Sequence, residues 1–522
     1  MSFTSYTFLL VFLPIVLAGH YLLTRVFTSQ KPALAWLIVA SLVFYASLGP
    51  GYLLVLLGSV VTNFAFAWQM RRMPEGGRGR RAVLITGIVA NLLLLGFYKY
   101  TGFLAENINA LLGTDLRALA AAYPVGLSFY TFIQIGFLLD TYVGQIERLS
   151  FLNYLLFGTF FPYVTAGPLV RQGEVFTQLD TPVRERTGAR FLAVGLTMFA
   201  MGLFKKAVMA DSVAPYVATM FDTAGAGGAV STGSAWVGAL AYTFELYFDF
   251  SGYSDMALGL GYMIGVRLPL NFNSPLKATS LVEFWRRWHM TMVRFFTSYV
   301  YTPMTATMMR RGIRRKWPQW VRLLAVICLP VFVTFVLVGF WHGAGWGFII
   351  SGAIHGVALS INLTWRELGA KRRLPRIPAP VGWLLMMVPL VASLVYLRAP
   401  DAGSATRILA TMAGLGAAGG ASVAQLYGTG VLFGGLTVVP AILWTIFLGA
   451  IALFYPRNTQ EILGRYEVGL PTIPSQEKET GRRWRPPISW RPNPSWAIAI
   501  AVIAGLGLVF AGGPSPFLYY RY

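Results

Sequence analysis

The chain has 522 residues, of which 56% are hydrophobic and only 12% are charged. Soluble domains carry about 25% charged residues, so this composition excludes a soluble globular protein and indicates an integral membrane protein. The net charge of +22 lies in short Lys and Arg clusters between apolar stretches, which argues against nucleic-acid binding and is typical of the basic loops of membrane proteins. The single cysteine, Cys328, excludes an internal disulfide and any zinc site that needs two cysteines. We expect neither a bound metal nor a cofactor.

A helix that spans a bilayer needs about 20 largely apolar residues. Such stretches recur along the chain, near residues 7–26, 33–49, 52–70, 82–99, 122–144, 151–169, 190–210, 234–265, 281–308, 321–341, 344–365, 381–398, 432–455 and 494–513. The regions 122–170 and 330–365 are rich in glycine and proline, which predicts broken or re-entrant helices that are buried in protein or line a cavity. We therefore predict an all-α, polytopic helical bundle. Its core covers residues 1–400, and further membrane helices cover 401–522 with a polar loop near 456–492.

Basic loops predict which helix ends face the cytoplasm. Five arginines fall within residues 71–81, and a second basic run covers residues 310–316. The connection at 100–121 holds only three charged residues and suits the outer side of the membrane. Counting back three spans from the first basic loop places the amino terminus outside.

Ionisable residues within apolar stretches are informative, because each costs roughly 2.5–3.5 kcal/mol to insert at the bilayer centre. One group runs from Glu283 to His289 and includes Trp288. Residues three or four apart share a face of a helix, so Arg286 is expected beside His289 and Glu283 beside Arg287. The group is interpreted as a polar wall with a histidine that faces a cavity. The alternative is a helix end anchored at the lipid headgroups.

A second group is the run 338–347, in which His342 stands among four glycines and two tryptophans. Glycine lets a backbone break or approach a ligand closely, and Trp341 and Trp346 are positioned in sequence to exclude water. The alternative is tight helix packing with the histidine hydrogen-bonded to a neighbour. His355 follows thirteen residues later and either lines the same cavity or is structural.

A third group lies between residues 247 and 255, where Asp249, Ser251, Tyr253 and Asp255 interrupt an apolar region. Two carboxylates this close predict an acid–base pair or a cation site in a transporter. They also suit hydrogen bonds between helices, and the sequence leaves these alternatives open.

A fourth group runs from Phe160 to Arg171 and contains Pro162 and Pro168. Proline within an apolar stretch removes a backbone donor and breaks a helix. The pattern predicts a broken helix that lines a cavity, with a simple kink as the alternative.

Taken in order, these groups resemble the membrane-bound O-acyltransferase family, in particular its branch related to alginate O-acetyltransferase. The resemblance covers roughly residues 5–400 and rests on six stretches in the same order and spacing: 125–132, 166–171, 247–255, 283–289, 341–344 and 355–356. It implies a tunnel through the membrane, with the Trp-His-Gly histidine, His342, as the catalytic residue and the Arg-Trp-His histidine, His289, as a second tunnel residue. The chain departs from the branch at residues 297–304, where an Arg-Asp-Tyr element is usual.

The resemblance implies an enzyme of the bacterial inner membrane that passes an acetyl-type group from a cytoplasmic thioester, such as acetyl-CoA, towards an exported polysaccharide that is alginate-like or cellulose-like. It also implies an extracytoplasmic partner protein that completes the transfer. The residues expected along the donor and substrate path are Trp288, Trp341, Asp249, Ser251, Tyr253, Arg171, Arg286 and His355. The residues expected at the donor phosphates are Arg310, Arg311, Arg314 and Arg315.

Two function classes without covalent chemistry remain as alternatives. One is a multi-span transporter or flippase of a polysaccharide export system, in which Asp249 and Asp255 hold a coupling ion. The other is a structural scaffold of such a system, which leaves the Trp-His-Gly group without a role.

Overall fold

Helices form nearly all of the regular structure in the part of the chain that the computed structural model describes. That part comprises residues 1–117, 121–146, 148–179, 183–372, 375, 377–416, 419–431, 437–454, 457–472, 488–513 and 517–518. Much of the polar loop predicted near 456–492 therefore lies outside the described residues.

The first half of the chain contains eleven α-helices among its described residues: α1 (Leu13–Val26), α2 (Lys31–Ala46), α3 (Pro50–Arg71), α4 (Arg78–Lys99), α5 (Thr101–Leu112), α6 (Leu127–Tyr142), α7 (Phe151–Thr159), α8 (Gln172–Leu179), α9 (Ala189–Phe204), α10 (Ala214–Gly225) and α11 (Thr232–Ile264). Wider π-helical turns precede α1 at Thr7–Phe12 and extend α9 at Lys205–Ala210.

The second half contains α12 (Leu281–Trp285), α13 (Met290–Phe296), α14 (Thr302–Arg314), α15 (Gln319–Arg322), α16 (Leu329–His342), α17 (Trp346–Arg372), α18 (Ala379–Arg398), α19 (Ala402–Met412), α20 (Val423–Tyr427), α21 (Pro440–Phe454), α22 (Thr459–Ile462) and α23 (Pro494–Phe510). π-Helical turns at Thr297–Tyr301 and Leu323–Cys328 join α13 to α14 and α15 to α16. Two short antiparallel strands, β1 (Gly430–Val431) and β2 (Thr437–Val438), pair with each other.

Within the described residues, seven helical stretches are long and apolar enough to cross a membrane: 7–26, 50–71, 78–99, 189–210, 319–342, 346–369 and 379–398. Three shorter apolar helices, at 31–46, 440–454 and 494–510, coincide with further predicted spans. The prediction of an all-α, polytopic membrane protein is confirmed.

Helix starts follow local sequence chemistry. Pro50 begins α3 and Pro494 lies in the first turn of α23, where a proline loses no helical hydrogen bond. The side chains of Asn493 and Asp401 accept the backbone N–H groups of residues three positions later, so they cap α23 and α19. Caps of this kind satisfy donors that the first helical turn leaves open.

The predicted span at 281–308 is wrong as a single apolar helix. The chain turns between α12 and α13, and a second helical stretch then runs from Met290 to Arg314 through the π-helical turn. This region is amphipathic, because Glu283 and the arginines of residues 286–315 alternate with apolar residues such as the exposed Met309 and Ile313. Counting apolar residues did not reveal the turn at 286–289.

The predicted break in the fourth group is present. Helix α7 ends at Thr159, and residues 160–170 are buried without forming a regular helix. The backbone N–H of Phe161 donates to the Ser41 hydroxyl, 3.2 Å away. Gly167 packs against the backbone of Tyr163, where any side chain on residue 167 would collide. The prolines therefore end a helix and do not merely kink it.

The described chain divides into two compact units, and α11 contributes to both. Unit 1 contains residues 1–207, 252–270 and 459–521, and unit 2 contains residues 208–251 and 271–458. In unit 1, the buried amides of Asn63 and Asn91 exchange hydrogen bonds of 3.1 and 2.6 Å between α3 and α4. Such polar contacts hold helices together in lipid.

Two arginines of the basic 71–81 loop also stabilise unit 1. Buried Arg80 donates to the Thr141 carbonyl oxygen at 2.9 Å, and Arg71 donates to the Ile146 carbonyl oxygen at 2.7 Å. The final carbonyl groups of a helix have few helical partners, and Arg80 gives the Thr141 carbonyl at the end of α6 a second donor beside the Gly144 N–H. The loop therefore has a structural role in addition to its predicted cytoplasmic placement.

Glycines bring α9 and the second half of α11 into close contact within unit 1. A Cβ atom on Gly252 would lie 2.7 Å from the Gly202 carbonyl oxygen, and one on Gly259 would lie 2.6 Å from the Gly195 carbonyl oxygen. The glycines of each helix are seven residues apart, so they share one face. Small residues of this kind let membrane helices approach closely.

We predict that Gly252→Ala destabilises the protein, because the added methyl group overpacks this contact at a cost of about 1–3 kcal/mol. The measurement is the thermal unfolding midpoint of the detergent-purified chain. The matched control is Gly505→Ala in α23, where an added Cβ meets open space. The control is expected to unfold at or slightly above the wild-type midpoint. Equal midpoints for both variants would contradict the contact.

Candidate active site

The turn between α12 and α13 places His289 in an unusual backbone conformation. Its φ and ψ angles are 42° and 49°, in the left-handed region, which residues other than glycine rarely adopt. Its side chain is completely buried. Such backbone strain is retained where the surrounding structure enforces it, and it clusters at functional sites.

An extended segment beginning at Asn271 enforces this turn. The Met290 N–H donates to the Asn271 carbonyl oxygen, and the Asn273 N–H donates to the Arg287 carbonyl oxygen, both at 2.9 Å. These bonds flank His289 on either side. The backbone conformation of the histidine is therefore fixed by its neighbours.

The Asn271 side chain fixes the imidazole ring as well. Its Oδ1 atom lies 3.0 Å from His289 Nδ1 and 2.9 Å from the Thr291 hydroxyl. The Thr291 backbone N–H also donates to this atom, at 3.4 Å. Because a backbone N–H can only donate, the atom must be an acceptor. The atom is therefore the amide oxygen, so His289 Nδ1 carries a proton and donates it. In the neutral ring, Nε2 then holds the lone pair and is the basic nitrogen.

His342 ends α16 and belongs to the same unit as His289. The buried Trp341 ring lies 4.8 Å from the His342 ring and 6.3 Å from the His289 ring, measured between centroids. Burial, and secondly the charge of nearby His342, lower the pKa of His289 well below its ordinary value. His289 is therefore neutral near pH 7. The two histidines of the predicted site lie within electrostatic reach of each other.

Aromatic residues of α11 and the 271–273 segment surround this pair. The Phe250 ring meets His289 edge-on, with centroids 4.7 Å apart, and Phe272 packs edge-on against both Phe250 and Trp288 at 5.0 and 5.1 Å. Tyr247 lies 6.3 Å from Trp288. The surroundings of the imidazoles are thus largely apolar, which strengthens electrostatic interactions there.

Asp249 and Ser251 flank Phe250 on α11, and both are buried. They lie on either side of the face that meets His289. Asp249 and Asp255 are six residues apart, so they do not share a helix face. Asp255 is bonded within unit 1 to Lys205 at 2.6 Å and to the Thr459 hydroxyl at 2.7 Å. The lysine balances the charge of the Asp255 carboxylate. The predicted Asp249/Asp255 acid–base or cation pair is therefore left without support.

The expected pairing of Arg286 with His289 on one helix face is wrong. Helix α12 stops at Trp285, Arg286 is exposed, and His289 is completely buried. The other expected pair is present, because Arg287 and Glu283 form an ion pair at 2.6 Å. Trp288 is partly buried and stacks on Phe284, with ring centroids 5.5 Å apart.

The glycines around His342 pack helices together. A Cβ on Gly339 would lie 2.3 Å from the Phe348 carbonyl oxygen, and one on Gly343 would lie 2.3 Å from the Phe348 ring. These glycines let α16 and α17 cross closely, and the space beside them is already filled. Close helix packing therefore explains them better than close approach of a ligand. Trp346 is 57% exposed, so Trp341 alone of the two tryptophans is buried beside the histidines.

His355 lies in α17 between other partners. Its Nε2 is 2.7 Å from the Ser393 hydroxyl, and the Trp285 ring meets it edge-on at 5.0 Å. The Ser393 hydroxyl donates to the Leu390 carbonyl oxygen, so it accepts the His355 Nε2–H. These contacts join α17 to α18 and to α12.

Two predicted path residues belong to unit 1. The Tyr253 hydroxyl lies 2.5 Å from the Thr165 hydroxyl, and its ring stacks on Phe3 and Phe517. The Arg171 backbone N–H donates to the Glu174 carboxylate at 2.8 Å and so begins α8. Tyr253 and Thr165 connect the third and fourth sequence groups through one hydrogen bond.

The four arginines expected at the donor phosphates lie at the end of α14. All four are exposed: Arg310, Arg311, Arg314 and Arg315. The helical stretch that begins at Met290, directly after His289, carries them. At about 1.5 Å per residue, Arg310 lies at most about 30 Å along the helix from His289.

Asn271 is a residue of the candidate site that the sequence analysis did not identify. It stands in a Leu-Asn-Phe-Asn-Ser run between two apolar stretches, which has the composition of a turn. No pattern in the sequence singled it out, because several other polar residues lie between Asn271 and His289.

We predict that Asn271→Leu lowers the catalytic activity expected of this site by about 10–100-fold, the range found when the residue that orients a metal-bound histidine is removed. Asn271→Asp keeps an acceptor but places a carboxylate beside the ring, which raises the His289 pKa. The acidic limb of the pH–rate profile is therefore expected to move to higher pH in this variant. Near-normal activity of Asn271→Leu, together with an unchanged Asn271→Asp profile, would contradict the assignment.

Comparison with known proteins identifies the family. The family model described as MBOAT, membrane-bound O-acyltransferase family, matches residues 127–397. The chain is 36% identical over 440 residues to "Peptidoglycan O-acetyltransferase" of Helicobacter pylori, covering 80% of each chain. It is 32% identical over 555 aligned positions to "Probable alginate O-acetylase AlgI" of Pseudomonas aeruginosa, covering 100% of each chain.

A more distant relative acts outside this acetyltransferase group. "Teichoic acid D-alanyltransferase" of Streptococcus thermophilus is 27% identical over 246 residues, covering 46% of this chain and 57% of the relative. The family model includes both histidines of the candidate site and the Asn271 segment. The chain therefore belongs to the membrane-bound O-acyltransferase family and is a multi-pass membrane O-acyltransferase.

Proposed function

We propose that this enzyme passes acetyl groups from a cytoplasmic acyl thioester, acetyl-CoA, across the bacterial inner membrane for O-acetylation of an extracytoplasmic polysaccharide. The observation that carries the proposal is the pair of imidazoles, His289 with its tautomer fixed by Asn271 and His342 nearby. Two relatives of about one-third identity are named for O-acetyl transfer.

The reaction assigned to His342 is general-base catalysis. Its imidazole takes the proton of an attacking hydroxyl while the hydroxyl oxygen bonds to the thioester carbonyl carbon. The carbon–sulfur bond of the tetrahedral intermediate then breaks, and the imidazolium returns its proton to the leaving thiolate. Histidine suits both steps because its pKa lies near neutrality.

His289 is assigned to position the acceptor through a hydroxyl next to the attacking one, whose own proton goes to His342. With Nδ1–H directed at Asn271, neutral His289 offers only an Nε2 lone pair, which accepts the hydrogen of a hydroxyl. Polarising the thioester carbonyl would require protonation at Nε2, and the lowered pKa of His289 opposes that. The positioning role therefore fits the buried ring better than a polarising role.

The donor is proposed to place its phosphates at the basic end of α14. Coenzyme A carries its anionic groups at one end of a long molecule and the reactive sulfur at the other. The helical stretch that begins beside His289 ends at Arg310, Arg311, Arg314 and Arg315. It therefore separates a phosphate-binding end from the reactive site, as coenzyme A separates its phosphates from its sulfur. Arginine binds phosphate through charge-assisted hydrogen bonds.

The acceptor is proposed to be a hydroxyl of an exported polymer, alginate-like or cellulose-like, reached through an extracytoplasmic partner protein. The full-length similarity to the alginate O-acetylase supports this class. A second candidate acceptor is peptidoglycan, favoured by the 36% identity to the Helicobacter pylori enzyme. Acetyl content of both polymers, measured in a strain with and without the protein, distinguishes them.

A transporter without covalent chemistry is the weaker reading. Its coupling-ion site required Asp249 and Asp255 together, but Asp255 is committed to Lys205 and Thr459. The family to which the chain belongs performs acyl transfer.

We predict that His342→Gln abolishes detectable polymer acetylation, since general-base assistance is worth about 10²–10⁴-fold in rate. Acetyl content is normalised to the amount of each variant in the membrane. The matched control is His20→Ala, which removes another buried histidine, bonded to the Ile264 carbonyl oxygen, and is expected to lower the membrane level without changing acetylation per molecule. His342→Gln at a normal level with acetylation within a few-fold of wild type would refute the catalytic role.

We also predict that the fourfold change of Arg310, Arg311, Arg314 and Arg315 to Gln raises the apparent KM for acetyl-CoA and leaves kcat nearly unchanged. The reason is that the arginines bind the donor equally before and during the reaction. The control is Arg78→Gln with Arg81→Gln, which removes exposed charge from the other basic loop. An unchanged KM would leave the four arginines as topology signals only.

A further inference from the structure

The segment that holds His289 is itself held by a residue from the end of unit 2. Asn458 follows α21 in the chain, and its side-chain amide donates to the Asn273 Oδ1 atom at 2.8 Å. The same amide donates to the Ser274 hydroxyl at 3.2 Å. Asn458 therefore binds two consecutive residues of the segment that begins at Asn271, from a position 185 residues after Asn273.

Asn273 connects Asn458 to the turn that carries the histidine. Its side chain accepts from Asn458, while its backbone N–H donates to the Arg287 carbonyl oxygen at 2.9 Å. Two residues earlier, Asn271 contacts the other side of the same turn and the imidazole of His289. A series of hydrogen bonds thus runs from Asn458 through the segment 271–274 to the turn.

Ser274 gives Asn458 a second point of attachment where the backbone is strained. Its φ and ψ angles are 47° and 56°, in the left-handed region, and such a conformation is retained only where the surroundings enforce it. Ser274 is buried and begins the short 3-10 turn Pro275–Lys277, against which α21 packs. The segment is therefore fixed by the His289 turn on one side and by Asn458 on the other.

The burial of these groups makes the contact costly to lose. Asn271 and Ser274 are buried, and Asn273 and Asn458 are partly buried. When one partner of a buried hydrogen bond is removed, the other keeps its desolvation cost without compensation. Loss of the Asn458 amide would therefore favour a shift of the segment that carries Asn271.

We propose that Asn458 is a positioning residue of the candidate active site. By holding Asn273 and Ser274, it fixes the segment from which Asn271 keeps His289 in its Nδ1–H tautomer. Its effect on the reaction rests on the proposed function of His289. Asn458 lies beyond the family-matched residues 127–397 and within the region 401–522, so the C-terminal region contributes to the site in addition to its membrane helices.

The test reads the tautomer of His289 by NMR, in the full-length chain in detergent with isotope-labelled histidine nitrogens. At a pH where the ring is neutral, the shifts of its two nitrogens show which one carries the proton. The His289 signal is identified by its loss in His289→Gln. We expect a single Nδ1–H form in the wild type. In Asn458→Leu we expect this single form to be lost, and acetyl transfer per membrane-inserted molecule to fall several-fold.

Asn273→Leu removes the same contact from its other side and is expected to have the same effect on the tautomer. The double variant Asn273→Leu, Asn458→Leu is expected to be no worse than Asn458→Leu, because residues that act through one contact are not additive. Gel filtration checks that each variant is folded. If leucine at position 458 prevents folding, Asn458→Ala removes the amide without added bulk and replaces it in the test.

The matched control is Asn109→Leu in unit 1. The Asn109 side chain donates to the Leu116 carbonyl oxygen and accepts the Leu116 N–H, so its loss lowers stability without reaching the 271–274 segment. This variant is expected to keep the single Nδ1–H form of His289. Loss of that form in the control would overturn the proposal, because it would reflect general destabilisation.

A retained single Nδ1–H form in folded Asn458→Leu would also overturn the proposal, whatever the level of acetyl transfer. A changed tautomer with full acetyl transfer would support the link from Asn458 to His289 and would refute the role proposed for His289 in the reaction. The positioning residue and the proposed function can therefore fail separately.

Discussion

The hydrogen bond from His289 Nδ1 to the Asn271 side chain is the contact on which the candidate site depends. It selects the tautomer, holds the ring in a completely buried position and fixes which nitrogen is basic. The same amide oxygen accepts the Thr291 hydroxyl, so the three residues form one unit. Without this acceptor, the left-handed turn at His289 would lose its side-chain anchor, and the basic nitrogen would no longer have a defined direction.

The helix that ends in His342 is held in place by close packing. His342 ends α16, whose glycines pack against α17 so closely that a methyl group on Gly339 or Gly343 would collide with Phe348. The imidazole of His289 is therefore positioned by a directional hydrogen bond, and the backbone that carries His342 is positioned by the close packing of a helix pair. The Trp341 ring lies close to both histidine rings, 4.8 Å from His342 and 6.3 Å from His289.

Much of the fold follows from the sequence, because long apolar stretches have few alternatives to the helix in a bilayer. The breaks at Pro162 and Pro168 were equally predictable, since proline cannot continue a helix. The span at 281–308 failed for a local reason. Composition identifies apolar residues but does not detect a left-handed turn at a residue such as His289, which depends on backbone bonds to residues 271–273.

The partners of buried polar residues were the least predictable feature. The sequence indicated that Asp249 and Asp255 were unusual, and their proximity suggested a pair. Asp255 instead binds Lys205, fifty residues earlier, and Asn271 was not noticed because a turn-like composition conceals its role. Pattern and spacing predict which residues are costly to bury, whereas the partner of each depends on how distant helices pack.

The ion pair between partly buried Lys205 and buried Asp255 constrains how this protein can change over evolutionary time. Loss of either residue alone leaves an uncompensated charge among packed helices, which is strongly destabilising, while replacement of both by apolar residues of similar volume is often tolerated. The two positions, joined at 2.6 Å, are therefore expected to vary together among descendants of this gene. A lineage that has lost the lysine is expected to have lost the aspartate as well, and such paired change would record the contact in sequences for which no structure exists.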